Sequence, residues 1–131
     1  WMRSSSRAAS AATLFTATEN ALKPNPNSYR SLETEIIRWA EARKIIPNAT
    51  PQSQLNKALE EMAELFKAES QQNLPEIKDA VGDVLVCLIN YCAIKDIDMV
   101  SCLNLAYEAI KDRRGTLMPD GTFVKENGVR A

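Results

Sequence analysis

The stretch from Pro75 to about Ala93 constrains this chain more than any other part of it. Ile77, Val81, Val84, Leu85, Leu88, Ile89, Tyr91 and Cys92 recur at helical spacing, yet they cover most of a helix's circumference. A helix apolar nearly all round is stable only with neighbours on several sides, so the pattern predicts a buried central helix within a multi-helix core.

The neighbours are legible from their ends. Asn48-Ala49-Thr50-Pro51 reads as a break and a new start, with Thr50 as N-cap and Pro51 at the first helical position. That helix runs to about Ser70 and carries Leu55, Ala58, Leu59, Met62, Leu65 and Phe66 as one apolar stripe. An earlier helix is predicted from an N-cap at about Ser31, with Glu33 and Glu35 near its positive end and Leu32, Ile36, Trp39 and Ala40 at helical spacing. A last helix is expected from an Asp98 cap to Arg114, stopping at Gly115 with Lys111, Arg113 and Arg114 in its final turn. Beyond it, Pro119-Asp120-Gly121 between short apolar runs predicts a hairpin or extended arm.

The expected fold is therefore all-α, a four-helix core with a short C-terminal hairpin or arm, in one domain over residues 31–131. Four glycines and 6% aromatic residues suit helices better than a sheet sandwich. Residues 1–30 read as an arm. The first twelve, rich in Ser, Ala and Arg without an acid, suit a transit-like leader, an expression remnant or a native arm, and Trp1 ahead of Met2 suggests a natural start at Met2. Leu14, Phe15, Ala21 and Leu22 suit one short helix.

Charge and residue type narrow the chemistry. Sixteen Lys plus Arg against seventeen Asp plus Glu argue against broad binding to nucleic acid or anionic lipid, so any phosphate ligand is expected to be small. The longest apolar run, Val84 to Ile89, falls far below the ~20 residues of a membrane span, which predicts a soluble, cytoplasmic protein. Cys87, Cys92 and Cys102 form no CxxC pair and are expected to pack in the core in a reducing compartment. The chain has no His, which removes Ser-His and Cys-His nucleophile systems and the usual zinc sets. Acid–base or metal chemistry falls to carboxylates.

Those carboxylates are patterned. Glu60, Glu61 and Glu64 occupy roughly a 100° sector opposite the Leu55/Met62/Phe66 stripe. Alone, such a cluster is usually a solvated helix face. Asp79, Asp83 and Asn90, however, project from the apolar third helix within about 40° of one another, and buried carboxylates need partners. Lys57, Lys67 and Lys78 offer an ion-pair network. The acids outnumber them, and a hard divalent cation, Mg²⁺ or Mn²⁺, would neutralise the surplus. Gly82, in mid-helix beside Asp83, suits close approach of another helix or a ligand.

Glu60-Glu61-Met62-Ala63-Glu64-Leu65, followed by Asp79-Ala80-Val81-Gly82-Asp83-Val84-Leu85, resembles the MazG-type all-α nucleoside triphosphate pyrophosphohydrolases. The resemblance extends from about Leu32 to Glu126. Ala106-Tyr107-Glu108-Ala109-Ile110-Lys111-Asp112-Arg113-Arg114-Gly115 and Asp120-Gly121-Thr122-Phe123-Val124-Lys125-Glu126 are similar to the short MazG-like proteins of phages and mobile gene cassettes. It implies Mg²⁺-dependent cleavage of a nucleoside triphosphate to monophosphate and pyrophosphate, in nucleotide-pool housecleaning, by a homodimer or dimer of dimers. Carried over by position, Glu61, Glu64, Asp79 and Asp83 are metal ligands, and Glu60 a ligand or water-orienting base acting with Glu61. Lys57, Lys111, Arg113 and Arg114 are candidates for the phosphates or simply helix-end and ion-pair charges. Trp39 stacks on a base or packs in the core, and Asn90 can reach sugar or base. One departure is plain: many relatives carry Glu-x-x-Asp in the second motif, but Ala80 stands where that Glu would be. Two alternatives remain open, a non-catalytic helical protein with an acidic face and a pyrophosphohydrolase acting on another nucleotide, such as phosphoribosyl-ATP or a nucleotide diphosphate derivative.

Overall fold

The computed structural model describes residues 16–21 and 27–126. It is mostly helical with one two-stranded sheet, and it divides into two compact units, one ending at Lys95 and one beginning at Asp96.

In the first unit α1 spans Ala17–Ala21, α2 Tyr29–Ala42, α3 Ile45–Asn48, α4 Pro51–Ser70 and α5 Leu74–Lys95. Thr16 and Glu19 form a reciprocal capping box at α1: the Thr16 hydroxyl accepts from the Glu19 amide (3.1 Å), and the Glu19 carboxylate accepts from the Thr16 amide (3.0 Å). Ala21 of the expected short helix falls here, whereas Leu14, Phe15 and Leu22 lie outside the described residues. The start of α2 corrects the expectation of a cap at Ser31. Ser28 holds the N-cap, its hydroxyl accepting from the Ser31 amide at 3.2 Å, so Ser31 is already inside the helix. Lys44, at φ 62°, ends this helix and leads into the single turn of α3.

α4 and α5 form the main pair and run antiparallel. Thr50 caps α4 as expected, its hydroxyl accepting from the Ser53 amide (3.0 Å) ahead of Pro51. At the other end the Asn73 amide donates to the Ala68 carbonyl and the Gln72 amide to the Glu69 carbonyl, both at 3.0 Å. With Gln72 at φ 53°, this is a Schellman stop in which Gln occupies the left-handed position usually held by Gly. Asn73 then caps α5, its side-chain oxygen accepting from the Glu76 amide (3.3 Å). α2 and α3 also pack on α5.

Two packing expectations are overturned. α5 is not buried all round: Ala80, Cys87, Ile89 and Asn90 are buried, but Val81 and Leu85 remain 43% and 44% exposed. α4 does not turn its whole apolar stripe inward. Its inner face carries Gln54, Leu55, Ala58, Glu61, Leu65 and Ala68, while Leu59 and Phe66 are 71% and 73% exposed. Glu61 thus stands on the packed side of the helix and not on the face opposite it.

In the second unit α6 spans Met99–Ile110 and is capped by Asp98, whose carboxylate accepts from the Ser101 amide at 3.0 Å. It ends before Lys111, so Arg113 and Arg114 lie outside it, and Gly115 opens a strand instead of stopping a helix. β1 (Gly115–Leu117) pairs antiparallel with β2 (Phe123–Lys125), with Thr116 opposite Val124. Their turn is closed by the Gly121 amide donating to the Met118 carbonyl (2.9 Å), and Gly121 takes φ 87°. The Asp120 carboxylate accepts from the Thr122 amide (2.9 Å), which holds its pKa below the ordinary range. Cys102 is exposed and Cys92 half-buried, so of the three cysteines only Cys87 packs in the core. Among the described residues no helix is long and apolar enough to cross a membrane.

Candidate functional site

Side chains at helical spacing on α4 and α5 line a cleft of about 280 Å³ in the first unit. α4 supplies Gln54, Lys57 and Glu61; α5 supplies Asp83, Val86, Cys87 and Asn90. Offsets of three, four and seven keep each set on one helical stripe. Trp39 from α2 and Ile45 from α3 complete the walls. Because the two helices are antiparallel about a short turn, residues equally far from it stand level. Glu61 faces Asp83 near one end, and Gln54 faces Asn90 at the other. Seven residues of helix, about 10 Å, separate the two ends.

The acidic end is electrostatically loaded. Burial pushes the Asp83 carboxyl above its ordinary value, and the nearby charges of Asp79 and Glu61 push the same way. The Lys57 ammonium stands 3.4 Å from Glu61 Oε1 and 3.7 Å from Glu60 Oε1. Its hydrogen bond to Glu61, and then the Glu60 and Glu61 charges, raise its own pKa. Glu61 is the sheltered partner, its side chain 16% exposed against 68% for Glu60. Burial, aided by Glu61, pushes the Cys87 thiol up, which keeps it protonated and unreactive.

The far end is different. Asn90 is 3% exposed, and its Oδ1 is buried without a hydrogen-bond partner. Trp39 is 43% exposed, with the Arg43 guanidinium 4.7 Å from its ring centroid, so it is a cleft wall and not a core residue.

Trp39, Lys57, Glu61, Asp83 and Asn90 of the predicted set are thus brought together. Asp79 lines a second hollow, between α2 and α5, which it shares with Asp83, Lys78, Gly82 and Glu33. Glu64 lines a third, with Lys67, Asn73 and Glu76. Glu60 points to solvent as the partner of Lys57. Lys111 and Arg114 belong to the second unit: Lys111 pairs with Glu108 at 2.8 Å, and the Arg114 carbonyl accepts from the Glu126 amide at 3.1 Å.

Among the described residues no three Asp, Glu or Cys side chains already stand as a group able to hold an ion. The pair Glu61 and Asp83 still fits Mg²⁺, which is commonly bound by one or two carboxylates together with substrate phosphates and water. Sequence reasoning missed Gln54, Ile45, Val86 and Cys87. For Gln54, Val86 and Cys87 the signal was their offset from Glu61 and Asp83, readable only once the inward face of α4 is known; Ile45, on α3, carried no such signal. It also missed Glu33, read as a helix-end charge but 7% exposed and held by Arg30 Nη1 (2.9 Å) and the Tyr29 hydroxyl (3.4 Å).

The chain matches no protein-family model and no solved structure. It is 34% identical over 71 residues to an uncharacterized 18.2 kDa protein of the rep-hol intergenic region of Haemophilus phage HP1 (strain HP1c1). That match covers 54% of this chain and 44% of the phage protein, so the chain spans less than half of its relative's length.

Proposed function

We propose that the chain is a MazG-like, Mg²⁺-dependent pyrophosphohydrolase that cleaves nucleoside triphosphates to monophosphate and pyrophosphate in a reducing, cytoplasmic setting. The observation that carries the reading is the Glu61–Asp83 carboxyl pair at one end of a cleft whose other walls suit a nucleoside. Two like charges held together raise each other's cost of ionisation, and a divalent cation removes that cost. In this reading Glu61 and Asp83 would hold the ion, which would supply charge neutralisation and polarise a phosphate oxygen.

The chain's own groups do the rest. Lys57, already at the carboxylates, is in place to meet phosphate charge. Trp39 offers a flat wall for a base. Glu60, Glu64 and Asp79 stand outside the cleft and join by side-chain rotation, which exposed side chains undergo on the picosecond-to-nanosecond scale. Glu60 then orients water, and Glu64 and Asp79 add ligand oxygens. The MazG-type four-helix core belongs to this reading too, as does assembly into a homodimer or dimer of dimers, supported by the uncovered Leu59 and Phe66.

Incubating the chain with each common ribo- and deoxyribonucleoside triphosphate, with and without Mg²⁺, and following products by phosphorus NMR tests this. Monophosphate and pyrophosphate appear together only with metal if the reading holds. Orthophosphate as first product, or no turnover of any triphosphate, overturns it.

A further inference from the structure

We infer that Asn90 and Gln54, at the end of the cleft away from the carboxylates, form a carboxamide pair that recognises the hydrogen-bonding edge of a nucleobase. The inference rests on the functional reading above for the orientation of the ligand, and it goes beyond it by assigning the base site and the group that reads it.

Among the described residues, Asn90 Oδ1 is the buried side-chain polar atom left without a hydrogen-bond partner. A buried amide oxygen without a donor costs free energy, and natural proteins leave few such groups without a reason. Its neighbours along the same helix stripe, Val86 and Cys87, are apolar and offer the amide oxygen no strong donor. A leucine would fill the position without that cost. The carboxamide is therefore better explained by a donor that arrives with a ligand, and an Asn side chain turns readily about χ2 to meet it.

The surroundings say what kind of ligand. Gln54 is half-buried and level with Asn90 on the facing helix, so two carboxamides, each with a donor and an acceptor, bracket one end of the cleft. An amide matches the paired donor and acceptor edge of a base. Trp39 lines the same cleft and, with Arg43 4.7 Å from its ring centroid, has one ring face left on which a base could stack. The charged groups Lys57, Glu61 and Asp83 lie toward the opposite end, which leaves the amide end for the uncharged part of the ligand. A nucleotide has this polarity, charge at one end and a flat hydrogen-bonding ring at the other.

The test is calorimetric binding of nucleoside 5′-monophosphates bearing each base, and of ribose 5-phosphate, to the full chain with saturating Mg²⁺. At least one nucleotide is expected to bind about tenfold or more tightly than ribose 5-phosphate, the scale of one or two buried hydrogen bonds. Asn90→Leu is expected to lose about that tenfold for the nucleotide while leaving ribose 5-phosphate binding unchanged. Gln54→Leu should do the same, and Asn90→Ser serves if leucine disturbs the fold. Equal affinity for nucleotide and ribose 5-phosphate, no binding of any nucleotide, or parental nucleotide affinity in the folded Asn90 variants overturns the assignment. The outcome is separable from hydrolysis: turnover with no base dependence ends this inference alone, whereas base-dependent binding without pyrophosphate release ends the proposed activity alone.

Discussion

Glu61 and Asp83, from facing positions on two antiparallel helices, line the same end of one cleft, with Lys57 3.4 Å from Glu61 and the charges of Asp79 and Glu61 both raising the Asp83 carboxyl. Such a pair is a local conflict that folding tolerates and that, in the proposed function, a cation would resolve.

A pH dependence follows. Asp83 has a folded-state pKa above its ordinary value of 3.8, so between 3.8 and the raised value the folded chain binds more protons than the unfolded chain. Its contribution to stability is most favourable below 3.8, falls as pH rises through that window, and is constant above it. In metal-free buffer, Asp83→Asn should therefore melt above the parent at neutral pH, with the gap closing on acidification. A gap that does not change with pH contradicts the shift.

In the proposed function the same pair sets the metal dependence. Glu61→Gln and Asp83→Asn should each weaken Mg²⁺ binding measured by calorimetry and lower turnover about 100-fold or more, the scale of losing a preorganised charge-stabilising group. Glu64→Gln, Asp79→Asn and Glu60→Gln separate the acids outside the cleft. Each should lower both quantities if rotation brings it to the ion. If Asp79→Asn keeps parental Mg²⁺ affinity and rate while Glu60→Gln loses both, Asp79 only tunes Asp83 by charge.

Assembly has its own test. Leu59, Met62 and Phe66 form an uncovered apolar stripe on α4, 71%, 42% and 73% exposed. Sedimentation should find the parent dimeric or larger, and Phe66→Glu should shift it toward monomer at the same concentration. A monomeric parent, or unchanged assembly in the variant, rules out this face.

Gly115 should tolerate no side chain. A Cβ there would run into the Val124 carbonyl oxygen and come within 2.8 Å of the Phe123 ring. Gly115→Ala should destabilise the hairpin by about 1–3 kcal/mol, the usual cost of overpacking. Hydrogen exchange should show lost protection at Thr116 and Val124 with α4 and α5 unaffected. Protection unchanged in the hairpin would mean that the strands shift to make room.

The sequence by itself determined where α4, α5 and α6 begin and where α4 and α5 end, because those signals are local. Thr50-Pro51 opens α4, Asp98 caps α6 and Pro119-Asp120-Gly121 turns the hairpin, each through bonds between residues a few positions apart. Local signals misled where two hydroxyls competed, at Ser28 and Ser31, and at Gly115, where cross-strand pairing outweighed the helix-stop reading. What only the tertiary structure decided is which acids meet. Apolar periodicity placed Glu61 opposite the core, but the α4 face that packs on α5 carries the small residues Ala58 and Ala68 and turns Glu61 inward, leaving Leu59 and Phe66 outside. The rotation of a helix about its own axis is set by the shape and charge of its neighbour, and sequence periodicity does not contain that neighbour.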